Sequence, residues 1–180
     1  MRRPLLLACA LLTAAAPASS QTFALSDVSA GYVFLNDPQT ETEFPRGAMG
    51  SIGVAAGGPV TIVGEAAFSR AHVSGFASDT DLSFVSVMGG ARASVRAGPL
   101  REMFQVLAGP VFASGTRFGV TETNRGLGIQ PGAGVDVPLG GRWWLRGEID
   151  LRYVTKQQNG DSAQRQLRAV AALVYSRDNR

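Results

Sequence analysis

The chain has 180 residues, with 17 basic and 14 acidic side chains, one histidine and one cysteine. That length suits a single domain, a lone cysteine gives no disulfide framework, and one histidine beside it argues against a zinc centre. Arg2 and Arg3 lie in the leader described next, so the remainder carries 15 basic against 14 acidic residues and its charge points to no nucleic-acid partner.

The chain opens like an export signal. Arg2 and Arg3 supply a positive start, Pro4 to Ala16 is almost wholly apolar, and Ala18-Ser19-Ser20 forms a small-residue cleavage site, so a mature chain starting at Gln21 is expected. The apolar run is shorter than the roughly 18 residues of a spanning helix, and no other stretch approaches that length. Leu6-Leu7-Ala8-Cys9 has the outline of a lipid-attachment site. It follows Arg3 too closely to leave room for an apolar core of about 7 to 15 residues, which favours cleavage after Ser20. The expected division is a signal peptide, 1–20, and one domain, 21–180.

Eight segments of alternating apolar and small or polar residues follow, at 27–36, 47–57, 60–70, 82–97, 102–114, 125–137, 142–155 and 165–176. Most reach the roughly 9–11 residues that a tilted strand needs to cross a bilayer, against about 5–6 for an ordinary soluble strand. The connections alternate in length. Gly57-Gly58-Pro59, Gly98-Pro99-Leu100-Arg101 and Pro138-Leu139-Gly140-Gly141 are tight turns, while 37–46, 71–81, 115–124 and 156–164 read as longer polar loops. Short turns on one side and long loops on the other predict an all-β fold: an eight-stranded antiparallel up-and-down transmembrane β-barrel in a bacterial outer membrane.

Apart from Arg70, Glu102, Arg125 and Arg165 at segment ends, one parity of every segment is uncharged and faces lipid in this reading, as with Ile52, Ile62, Val87, Val106, Ile129, Leu145, Ile149, Leu151 and Leu173. A single arginine at the bilayer midplane of that face would cost roughly 2–4 kcal/mol. The other parity carries Glu65, Arg92, Arg96, Asp136, Arg146, Glu148, Asp150, Arg152 and Arg168 among serines and glycines. An eight-stranded barrel is just wide enough for side chains to fill, so these residues are expected to form a structural ion-pair network in the lumen. Within it, Arg146 and Arg152 flank Glu148 and Asp150 on one strand face and are expected to pair with them. Arginine outnumbers lysine 16 to 1, and its planar five-donor head suits such pairing. Tyr32, Trp143, Tyr153 and Tyr175 fall near segment ends and are expected in an aromatic girdle at the membrane interfaces.

Val28-Ser29-Ala30-Gly31-Tyr32-Val33-Phe34-Leu35, Phe104-Gln105-Val106-Leu107-Ala108-Gly109, Leu145-Arg146-Gly147-Glu148-Ile149-Asp150 and the closing Leu167–Tyr175 segment resemble the small bacterial outer-membrane β-barrel proteins, OmpA-like and OmpX-like in architecture. The resemblance covers essentially the whole chain after the signal and identifies a barrel class, not an activity. Members commonly end on an aromatic residue read by the outer-membrane assembly machinery, whereas here Tyr175 is followed by Ser176-Arg177-Asp178-Asn179-Arg180.

Catalytic chemistry finds little support. His72-Val73-Ser74 resembles the His-x-Ser pair of outer-membrane lipid A deacylases, and Asp79, Asp81 and Glu122 are candidate orienting carboxylates, but the wider motif around the pair is absent. The acidic runs Glu41-Thr42-Glu43 and Asp79-Thr80-Asp81 read as hydrated loop segments, and no metal or cofactor is expected. The expected protein is a monomeric, non-enzymatic outer-membrane barrel with a filled lumen, a structural or interaction role through four extracellular loops, and outer-membrane lipids, lipopolysaccharide and the assembly machinery as partners. The alternatives are a lipid A deacylase-like hydrolase using His72 and Ser74, and a soluble periplasmic, lipocalin-like binder.

Overall fold

In the computed structural model, residues 24–38, 42–73, 80–117, 120–156 and 164–177 are described. They form β1 (Leu25–Asp37), β2 (Thr42–Phe44), β3 (Arg46–Gly57), β4 (Val60–Val73), β5 (Thr80–Ala97), β6 (Leu100–Arg117), β7 (Val120–Gly140), β8 (Trp143–Lys156) and β9 (Gln164–Ser176). Each strand pairs antiparallel with its neighbour, and β9 returns to β1 from Asp27↔Ser176 to Asn36↔Leu167, closing the sheet. Closure leaves no unpaired edge, which a sheet in hydrocarbon requires.

The barrel has eight staves, because β2 and β3 are one stave interrupted at Pro45. Leu35 faces Phe44 and Tyr32 faces Ala48, a register slip at a residue that has no N–H to give the ladder. Two other prolines mark lapses without a slip: the β5–β6 ladder lapses beside Pro110 and the β7–β8 ladder at Gln130-Pro131. At the tight turns, Gly57 and Gly58 take φ of +119° and +55°, and Gly140 and Gly141 take +120° and +58°, where an L side chain would be strained.

The opposite end differs from the sequence reading in two places. Residues expected as a polar loop at 115–124 are largely strand, β6 and β7 continuing upward as one hairpin with Ser114↔Thr123 and Thr116↔Thr121 in register. Cross-strand hydroxyl contacts, Ser114–Thr123 at 3.0 Å and Thr116–Thr121 at 2.9 Å, hold it. The expected loop at 37–46 contains β2, whose Phe44 turns inward and is buried.

Alternation sorts the side chains as expected. Outward stand Ile52, Phe104, Val106, Ile149 and Leu151, with Phe104 64% and Ile149 62% exposed, while Arg146 and Arg168 inside are at most 1% exposed. The interior is less uniformly polar than the charge pattern suggests. Val63, Met88, Leu107, Val111 and Val154 form one buried apolar cluster, and Val33, Met49, Ala67, Val170 and Ala172 another. In β1 and β6 both parities are apolar, so sequence alternation does not reveal which faces in.

Candidate functional site

The lumen has layers that follow strand register. At the short-turn end, Arg101, Asp136 and Arg146 are direct cross-strand partners on β6, β7 and β8. Arg146 binds the Asp136 carboxylate through Nε at 2.8 Å and Nη2 at 3.0 Å, and Arg101 binds it through Nε at 2.9 Å and Nη2 at 2.7 Å. Beside them Arg92 donates to Asp27 at 3.0 Å and to Gln105 at 3.2 Å. One layer further in, Arg168 meets Asp150 at 2.6 Å, Glu65 at 3.0 Å and Glu148 at 3.8 Å, and Gln105 donates to Glu148 at 2.6 Å.

The structure thus brings Glu65, Arg92, Asp136, Arg146, Glu148, Asp150 and Arg168 into buried polar contact, but not by the pairing expected within β8. Arg146 goes to Asp136 and Asp150 to Arg168, each pair in direct register across neighbouring strands. Residues two apart on one strand are separated by about 6.6 Å along it, while directly opposed ones lie about 4.5–5.5 Å apart, so the cross-strand pair wins. Arg152 is buried, meets no carboxylate among the described residues, and is held by Gln130 at 2.8 Å and Ser86 at 3.2 Å. Arg96 lies outside the network. It stands exposed at the barrel mouth, its guanidinium 5.8 Å from the centre of the Trp144 ring. Arg101 falls in a turn in the sequence pattern and is missing from the expected network; counting forward from the Gly98 turn along β6, where it faces Arg96, places it on the inward parity.

Above the charged layer, Leu35, Phe44 and Ala71 pack with Leu82 and Phe84 across the extracellular end of the lumen. Phe44 meets Phe84 edge-on, with ring centres 4.9 Å apart at 86°. Asp37 accepts hydrogen bonds there from Gln164 and Gln166. No sequence motif announced this apolar closure, since Phe44 lies in what reads as a polar loop.

The aromatic candidates fall at two heights on the outer face. Trp143 and Tyr175 pack edge-on at 5.1 Å by the short-turn end, where Arg142 donates to the Tyr175 hydroxyl at 3.1 Å. Tyr32 and Tyr153 stand toward the other end, Tyr32 donating to the Pro45 carbonyl and Tyr153 lying 5.9 Å beneath the Arg165 guanidinium. Outward arginines at that end also include Arg46 and Arg70, directly opposed on β3 and β4, and Arg125 over Phe112. His72 Nδ1 lies 2.9 Å from Asp81 Oδ1 at the same rim, both exposed; Ser74 and Asp79 are outside the described residues. Among the described residues no group of three or more His, Cys, Asp or Glu is placed to hold a metal ion.

An apolar belt around a closed sheet, with charge inside and arginine at the rim, defines an integral β-barrel membrane protein. The same belt is incompatible with the soluble binder, whose apolar parity would have to face inward. The sequence matches the outer membrane protein beta-barrel domain family over residues 5–172, and the chain belongs to that family. It is a bacterial outer-membrane protein. No curated protein matches the chain. Among solved structures it is similar to Neisserial surface protein A, NspA (TM-score 0.67, 11% identity, 84% of this chain and 96% of that one). It is also similar to Ail, the attachment invasion locus protein of Yersinia pestis, solved in complex with the heparin analogue sucrose octasulfate (0.56, 17%, 84% and 97%). A third is the N-terminal β-barrel domain of Pseudomonas aeruginosa OprF (0.53, 12%, 83% and 98%). At these identities the likeness is one of fold.

Proposed function

We propose that this barrel is a monomeric, non-enzymatic scaffold that presents its extracellular end to lipopolysaccharide and to anionic surfaces outside the cell. The observation that carries this reading is the β6–β7 hairpin. β7 has 21 residues, about twice what a bilayer crossing needs, and the excess rises as polar, hydroxyl-bonded strand beyond the apolar belt. Inside, buried charge pairs and the Phe44 closure fill the lumen and give it a structural task. Around the rim, the outward Arg46, Arg70, Arg125 and Arg165 match lipopolysaccharide phosphates, and the assembly machinery is the partner that inserts the barrel.

The test uses cells displaying the full protein and a variant in which 115–122 is replaced by an Asn-Gly turn. Both should migrate with a heat-dependent gel shift. Cells with the intact hairpin should be retained on a heparin-coated surface several-fold better than cells with the shortened one. Equal retention removes the hairpin from the role.

One contact favours a second reading. The His72–Asp81 pair at 2.9 Å supplies the orienting half of a hydrolase triad, with Ser74 two residues beyond His72. A lipid A deacylation assay decides it: activity that Ser74→Ala abolishes establishes the hydrolase, and no activity in the unaltered protein removes it.

A further inference from the structure

At the short-turn end the lumen opens into a cavity of about 340 Å³ lined by Arg92, Arg96, Arg101, Arg146 and Arg177, with Asp27 the only acid among the described residues on its wall. Arg92 is matched by Asp27. Arg101 and Arg146 share the single carboxylate of Asp136, so two guanidiniums compete for two oxygens. The outcome is visible at Arg146, which is 1% exposed and whose Nη1 has no hydrogen-bond partner among the described residues. A buried, unpartnered cationic N–H carries a desolvation cost. Neither Arg96 nor Arg177 meets a carboxylate among the described residues. Two guanidiniums, Arg96 from β5 and Arg177 from the end of β9, thus reach this cavity with hydrogen-bonding capacity to spare, beside the wall formed by Arg146.

We propose that this mouth is a binding site for a phosphate group, either free in the periplasm as phosphate or a small phosphomonoester, or carried on a phospholipid headgroup. A tetrahedral oxyanion offers acceptors in several directions at once, as guanidiniums converging from separate strands require, and it would form strong N⁺–H···O⁻ bonds with Arg96 and Arg177 within the field of Arg92, Arg101 and Arg146. The cavity volume fits a small phosphorylated solute. The site is independent of any role of the extracellular loops.

Trp144 is a built-in reporter, because its ring lies 5.8 Å from the Arg96 guanidinium and 4.8 Å from that of Arg101. The chain has two tryptophans, so Trp143→Phe on the lipid face leaves Trp144 alone. In phosphate-free maltoside micelles, potassium phosphate should change Trp144 emission saturably, and potassium chloride at equal ionic strength should not. Arg96→Gln with Arg177→Gln, both at exposed positions, should keep the heat-dependent gel shift and raise the half-saturating phosphate concentration at least tenfold. An equal response to chloride, or an unshifted midpoint in the double variant, overturns the site. Vesicles of phosphatidylglycerol, compared with phosphatidylcholine, form a second arm. A response there that excess phosphate abolishes supports the site with a lipid as its source, and a response to free phosphate alone supports a soluble source. No response in either arm overturns the proposal.

Discussion

Three carboxylates, Glu65, Glu148 and Asp150, converge on the one guanidinium of Arg168, which is buried with them. Removing Arg168 strands all three, so Arg168→Met should cost about 3–5 kcal/mol in urea unfolding from vesicles. Glu148→Gln should cost no more than about 1 kcal/mol, because Arg168 keeps its closer partners Asp150 and Glu65 and Gln105 keeps an acceptor. Equal losses would show that Arg168 does not organise the cluster. Gly132 makes this layer possible, since a methyl there would run into the Asp150 carboxylate; Gly132→Ala should destabilise by about 1–3 kcal/mol by the same measurement. Which charges point inward was legible from parity. Their partners were only half so. Asp136 and Arg146 flank the short Gly140-Gly141 turn, which brings them within one residue of register, the shift between Pro138 and Gly140 deciding the rest, whereas Asp150 and Arg168 face each other across a longer connection whose length fixes no register.

β2 shows what strand-scale pattern reading lacks. Thr42–Phe44 is three residues long, too short for alternation to stand out among acidic neighbours, yet its pairing with β1 delivers Phe44 to the extracellular closure. Phe44→Ala should remove about 3 kcal/mol of stability, and an unfolding midpoint that does not move would deny Phe44 that place. β8 was the opposite case, with a clean two-residue period along its whole length. Its outward face is tested by Ile149→Arg, midway between Trp143 and Tyr153. We expect a loss of about 2–4 kcal/mol on insertion into vesicles, falling to about 1 kcal/mol or less for Leu139→Arg at the turn. Equal costs would mean that the belt is not centred where the aromatic residues bracket it. The β6–β7 hairpin reads as loop in the sequence because Gly, Thr and Asn dominate 115–124. Its strand geometry comes from two continuing neighbours that zip upward from a paired base, an influence that local propensity does not carry.

At the scale of the molecule, the charges sort along the lumen in a way no single strand reveals. Arginines gather at the short-turn mouth and carboxylates around Arg168 one layer further in, with an apolar closure at the far end. The sequence by itself determined the architecture: strand number, antiparallel order, the side of the short turns and which parity meets lipid. A period of two, turn glycines and the exclusion of charge from hydrocarbon are local constraints written residue by residue. Only the tertiary structure decided the contacts across the barrel, among them the sharing of Asp136 by Arg101 and Arg146, the place of Arg96 on Trp144, the neutral partners of Arg152 and the capping by Phe44. Those contacts depend on closure, which joins β9 to β1 and fixes the heights at which residues distant in the chain face one another.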